Sequence, residues 1–168
     1  MKRAFIVVGS ESSGTRLLTR VLIQGGCYGD YTHFQKFDKE PFNGETPIVW
    51  RRSVPHGSEH RGLALDSMLK RLENYKVTVV IIVRNWDATE KSQVAAPHVS
   101  QVHQAKANIK RAYLSIFQQI HYLGLDYEIV TYESLVADPV RTQLRLFDRL
   151  ELHGKITVPI TNENTKWL

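Results

Sequence analysis

The chain has 168 residues, is 42% hydrophobic and carries 22 Lys and Arg against 17 Asp and Glu, a formal charge of +5. That is enough apolar matter for a compact core and excludes collagen, coiled coil and wholesale disorder, and no apolar run nears the roughly 20 residues that span a bilayer. Cys27 is the single cysteine, which excludes an internal disulfide and a cysteine-built zinc site and fits a reducing compartment, while the positive balance favours anionic partners from nucleotides to nucleic acid.

The chain opens on Ala4-Phe5-Ile6-Val7-Val8 ending at Gly9, a strand too short and too β-branched for the apolar region of a signal peptide, so a cytoplasmic protein is expected. Gly14, Leu17, Leu18, Val21, Leu22 and Gly25 then recur at threes and fours, the stripe of a helix lying on a sheet. From Gly25 to Thr46 glycines, aromatics and charges follow no period and predict a long loop of the kind that holds substrate. Pro47 to Arg51 reads as a second strand, and Arg61 to Leu72 as a helix with Leu63, Leu65, Met68, Leu69 and Leu72 inward.

Val77 to Val83 is a near-continuous β-branched run, the signature of a parallel strand buried on both faces and hence of the sheet's centre. Ala105 to Leu123 carries Ile109, Tyr113, Ile116, Phe117, Ile120 and Leu123 on one helical stripe, stopped by Gly124. Tyr127 to Thr131 gives a further strand. Asp138 and Pro139 read as cap and first-turn proline of a helix with Val140, Leu144, Phe147 and Leu150 inward. The alternation predicts an α/β fold: a parallel β-sheet flanked by helices in a three-layer sandwich. With no repeat or low-complexity linker, residues 1–168 are expected to form one domain that includes the tail from His153.

Gly9-Ser10-Glu11-Ser12-Ser13-Gly14-Thr15-Arg16 falls between strand and helix, where backbone N–H groups and the helix dipole make a phosphate site. Its glycines have P-loop spacing. The P-loop of nucleoside triphosphatases, however, needs Lys and then Ser or Thr directly after the second glycine, and those positions hold Thr15 and Arg16. Hydroxyls beside Arg16 favour an anion without the apparatus for ATP and magnesium.

Ser12-Ser13-Gly14-Thr15-Arg16 resembles the 5′-phosphosulfate loop of the sulfotransferases, a Lys followed by Ser-Gly-Thr-Thr or Gly-Gly-Thr-Arg. The resemblance implies a P-loop-like fold in which Ser12, Ser13, Gly14, Thr15 and Arg16 cradle the 5′-phosphate of 3′-phosphoadenosine 5′-phosphosulfate. The family's loop lysine aligns with Ser12, so its charge must come from another cation, Arg16 or Arg51. Arg84 ends the central strand with Ser92 eight residues on, similar to the family's 3′-phosphate clamp. A guanidinium at a strand's carboxyl end beside a hydroxyl on the next helix is a plausible phosphate clamp on physical grounds as well. Tyr132-Glu133-Ser134-Leu135 followed by Asp138-Pro139 resembles a third family stretch, whose tyrosine lies near the adenine. The family's late Arg-Lys-Gly loop is missing, and the tail Thr161 to Trp167 is the segment that could replace it.

Sulfuryl transfer needs a hydroxyl or amine nucleophile, a base for its proton and cations at the leaving phosphate, but no metal. The family's base segment, of the type Lys-x-His-x-Pro, is matched by Arg51-Arg52-Ser53-Val54-Pro55-His56, with Arg51 at the lysine, Ser53 at the histidine and His56 three residues later. His56 is therefore the expected base, since imidazole titrates near neutrality, with His33, Glu59 and His60 as alternatives. His56 to His60 also fits a His-x-x-Glu-His zinc pattern, but Pro55 and Gly57 oppose the regular helix it needs. His98 and His103 read as solvent-facing or acceptor-side residues. Two other functions stay open: a P-loop-like nucleotide kinase or phosphotransferase, and a catalytically silent nucleotide-binding module. Basic residues are scattered, so no dedicated nucleic-acid surface or membrane contact is expected, and sugar, small alcohol and peptide all fit the acceptor.

Overall fold

The structure, a computed structural model, describes residues 2–30, 47–55, 62–96 and 101–167. Strands and helices alternate as β1 Lys2–Ser10, α1 Thr15–Gln24, β2 Ile48–Val54, α2 Leu65–Arg71, β3 Tyr75–Val83, α3 Trp86–Ala95 and α4 Val102–Leu123. They continue as β4 Asp126–Thr131, α5 Tyr132–Ala137 and α6 Pro139–Arg149, and a 3-10 turn at Glu163–Lys166 lies in the tail. The four strands pair in parallel in the order β2-β1-β3-β4. Among the described residues no helix is long and apolar enough to cross a membrane.

Each face of the sheet carries its own core, which makes the three layers expected from the sequence. Phe5 and Val7 of β1 pack with Leu18, Val21 and Leu22 of α1 and with Leu146 and Phe147 of α6. Ala4, Ile6 and Val8, the alternate residues, pack with Leu65 and Met68 of α2 and Ile116 and Ile120 of α4. Each fully buried Val, Leu or Ile contributes about 1.5–3 kcal/mol, so the central strands, apolar on both faces, are the most strongly anchored elements.

Two helical stripes differ from their expected faces. Val140 and Leu144 of α6 are exposed, while Gln143 is fully buried beside Leu146, Phe147 and Leu150. The reason is a paired amide: Gln143 Nε2 donates to Thr157 O at 2.9 Å and Thr157 N donates to Gln143 Oε1 at 2.7 Å. A polar residue that ties down the tail turns the helix toward itself. On α4, Phe117 is also exposed and meets the edge-strand residue Tyr127 edge-on, with ring centroids 6.1 Å apart. The segment after β4 makes the short helix α5, unforeseen from the sequence and capped by the Thr131 side chain accepting from Ser134 N.

Chain direction locates the crevice. The connections from β1 lead to β2 on one side and, through β2, to β3 on the other, so the carboxyl ends of β1 and β3 splay apart at a topological switch point.

Candidate functional site

The loop from Ser10 to Gly14 sits at that switch point and its backbone is held from three directions. Ser13 N donates to Ser10 O at 3.1 Å, Glu11 N to Val54 O at 3.1 Å, and Gln93 Nε2 of α3 to Glu11 O at 2.8 Å. Ser12 and Gly14 have left-handed backbone, with φ of 63° and 102°. A Cβ at Gly9 would lie 2.4 Å from Ser13 Oγ and 2.7 Å from Ile82 O, so the strand can approach this closely only as glycine. Gly14 caps α1 without a side-chain hydrogen bond, and the first-turn N–H groups of such a helix are of the kind that can hold an anion.

Around the loop lies a cavity of ≈ 700 Å³. Ser12, Gly14, Thr15 and Arg16 form its floor, Leu17 and Arg20 of α1 one wall, and Arg51 and Ser53 of β2 another. Arg84 and Tyr132, which directly follow β3 and β4, line it further, and tail residues between Thr157 and Glu163 close the rim. The structure thus brings together Ser12, Gly14, Thr15, Arg16, Arg51, Arg84 and Tyr132 of the residues expected from the sequence. Ser13 is fully buried beneath the loop, and Ser92 is half-buried on α3 outside the cavity wall. His56 lies outside the described residues, as do His33, Glu59, His60, His98 and with them the His-x-x-Glu-His pattern. His103 is exposed at the start of α4.

The cations are constrained. Arg84 is only 7% exposed: its Nε donates to Asn164 Oδ1 at 2.6 Å, its Nη1 to Ser12 O at 2.8 Å, and its guanidinium lies over the Tyr132 ring, 4.6 Å from the centroid. Nη2 is buried and meets no hydrogen-bond partner among the described residues. Burial lowers the Arg84 pKa, opposed by the nearby Tyr132, Glu133 and Glu163. Arg51 is lowered by burial first and by the Arg16 charge second, with Asp30 opposing. Both remain cations at neutral pH, because a guanidinium does not lose its proton in proteins. Thr15 Oγ1 and Ser53 Oγ lie 2.8 Å apart and share a hydrogen bond, linking the loop to the end of β2.

Sequence reasoning missed Glu11, Leu17, Arg20 and most of the tail wall. Arg20 carried a signal, standing one helical turn after Arg16. Thr157 to Ile160 carried none, having neither helical nor strand period, whereas Thr161 and Glu163 belong to the tail segment expected to replace the missing loop.

No protein-family model and no curated protein matches the sequence. Among solved structures, mouse sulfotransferase SULT7A1 complexed with PAP aligns with a TM-score of 0.58 at 14% identity, over 92% of this chain and 61% of that one. The fold is that of the sulfotransferases. A sulfotransferase domain from the curacin biosynthetic pathway aligns equally well, with a TM-score of 0.58 at 13% identity over 98% of this chain and 77% of that one. The chain spans about three fifths of the mouse protein's length. On this sulfotransferase fold, the glycine-bearing loop and Arg84 occupy adjacent strand ends of the crevice, and the tail supplies the rim.

Proposed function

We propose that this chain is an enzyme that binds 3′-phosphoadenosine 5′-phosphosulfate and passes its sulfuryl group to a hydroxyl or amine acceptor. One observation carries the reading: a single cavity gathers an anion-type loop, Arg16, Arg51 and a buried Arg84 whose Nη2 has no partner among the described residues. A buried guanidinium with an unspent donor is costly unless an anion takes it up. Donor chemistry fits this set, with one charged group at the loop and a second at Arg84.

In this reading Ser12, Gly14, Thr15 and Arg16 hold the 5′-phosphate through N–H groups, hydroxyls and charge, and Ser13 contributes its backbone. Arg84 takes the 3′-phosphate, with Ser92 in support from α3, and Tyr132 walls the nucleoside. The donor supplies an activated sulfuryl group. The acceptor's bond to sulfur forms as the bond from sulfur to the phosphate oxygen breaks, and the acceptor proton passes to a base, for which His56 is the candidate. Negative charge left on the phosphate faces Arg16 and Arg51, which stand in for the lysine that Ser12 replaces. This chemistry needs no metal ion. Sugar, small alcohol or peptide can serve as acceptor, and the 168 residues act as one domain. The solitary, buried Cys27 supports a cytoplasmic setting.

Calorimetric titration tests the reading with adenosine 3′,5′-bisphosphate, AMP and ATP with magnesium, on wild type and Arg84→Ala. A preference for the bisphosphate that collapses in the variant is expected. Preference for ATP with magnesium would instead support a phosphotransferase. The serine at position 12 favours one second reading, a nucleotide-binding module without turnover, which predicts bisphosphate binding but no release of bisphosphate from the sulfated donor with any acceptor.

A further inference from the structure

A polar chain that runs from the surface at Asn85 and Glu133 to the buried Arg84 ties the tail to the end of β3. Asn85 N donates to Glu133 Oε1 at 2.8 Å, the same oxygen accepts from Asn164 Nδ2 at 2.9 Å, and Asn164 Oδ1 accepts from Arg84 Nε at 2.6 Å. Asn164 is 5% exposed, and both hydrogen-bonding ends of its amide are engaged. Its own N–H donates to Asn162 Oδ1 at 3.0 Å, and the Tyr132 hydroxyl accepts from Glu163 N at 2.8 Å while donating to Thr161 O at 3.2 Å. The turn that presents Asn164 is therefore fastened on either side.

A guanidinium is a rigid plane with five donors in fixed directions. Asn164 holds the Nε edge, Ser12 O holds Nη1 and Tyr132 covers one face, so the direction of the remaining Nη2 is set before any ligand arrives. We propose that Asn164, steadied by Glu133, is the positioning residue that aims Arg84 at the cavity, and that this chain sets the preference for a nucleotide carrying a second phosphate over one carrying a 5′-phosphate alone. The proposal rests on the donor-site reading and assigns the tail a role in discrimination. A pre-aimed Arg84 spends less of the ligand's binding energy on ordering its long side chain.

The sign of the effect separates positioning from its rivals. Were Asn164 a plug on Arg84, removing it would raise affinity for the bisphosphate. Were Glu133 felt only as a negative charge beside an anion site, removing it would do the same. Positioning predicts the reverse in both cases.

The test titrates adenosine 3′,5′-bisphosphate and AMP into wild type, Asn164→Ala, Glu133→Ala and Glu133→Gln. In Asn164→Ala the ratio of bisphosphate to AMP affinity should fall about tenfold, the weight of one charge-assisted hydrogen bond, with AMP affinity kept within about twofold. Glu133→Ala should move the ratio the same way, and Glu133→Gln should keep it, because one amide oxygen can accept from both Asn85 N and Asn164 Nδ2. AMP binding reports that each variant is folded, and should Asn164→Ala fail to fold, the two Glu133 variants decide. A ratio that stays or rises on losing Asn164 or the Glu133 side chain, in a protein whose wild type prefers the bisphosphate, overturns this proposal alone. A wild type without that preference overturns the donor-site reading and the proposal with it.

Discussion

Cys27 shows how one buried side chain writes a pH dependence into stability. Burial pushes its thiol up from 9.0 to about 12, with the Arg3 charge pulling weakly the other way. A group whose folded pKa exceeds its unfolded value stabilises fully below the unfolded value and loses that contribution as pH climbs through the folded one. Stability should therefore decline between pH 9.0 and about 12. Urea unfolding across that window should show a shallower decline for Cys27→Ser, which has no thiol to ionise; parallel curves would contradict the assignment. At neutral pH the same burial keeps the thiol protonated and inert toward alkylating reagents until the protein unfolds. Arg84 is the counterpart in the cavity, a buried cation surrounded by Asn164, Ser12 and Tyr132, with its Nη2 meeting no partner among the described residues.

The loop and α1 behave as one element, since Gly14 is at once the last loop residue and the helix cap. Its φ of +102° disfavours any side chain, and an added Cβ would come within 2.9 Å of the Tyr132 ring and 3.2 Å of Ile82. Gly14→Ala should cost about 1–3 kcal/mol in stability, the usual scale for a strained backbone position. It should also weaken bisphosphate binding, because relieving the clash pushes Tyr132 away from Arg84. Chemical denaturation and calorimetry read the two effects separately, and a variant of unchanged midpoint and affinity would show that the loop yields without cost.

Across the whole molecule the formal charge is +5, and four of its cations, Arg16, Arg20, Arg51 and Arg84, surround one space. Arg16 and Arg20 are exposed and Arg84 is buried, so in the donor-site reading the first two would act at long range through water and Arg84 at contact. Bisphosphate affinity should accordingly weaken as salt rises from low to physiological ionic strength, where the Debye length shrinks to about 8 Å. The preference over AMP should decline less than the affinity itself, because the Arg84 contact is shielded from ions. Titrations at two salt concentrations check this, and a preference lost along with affinity would assign discrimination to the surface field instead.

Sequence alone determined the parts whose cause is local. The β-branched run of β3 announced a doubly buried strand, the glycines of the loop announced a close backbone turn, and Asp138-Pro139 announced a capped helix, because propensity, sterics and capping act within a few residues. The α/β architecture followed from their alternation, and Arg16, Arg51, Arg84 and Tyr132 could be picked out as a group. Their meeting point was decided by tertiary structure. Arg84 reaches Asn164 across 80 positions and Ser12 across 72, and Gln143 turns α6 inward to hold Thr157. None of these pairings leaves a period or a motif in the chain. A polar residue buried by its partner looks like any surface residue until the fold brings the partner to it, and so Gln143's hold on Thr157 and Asn164's hold on Arg84 belong to the three-dimensional structure.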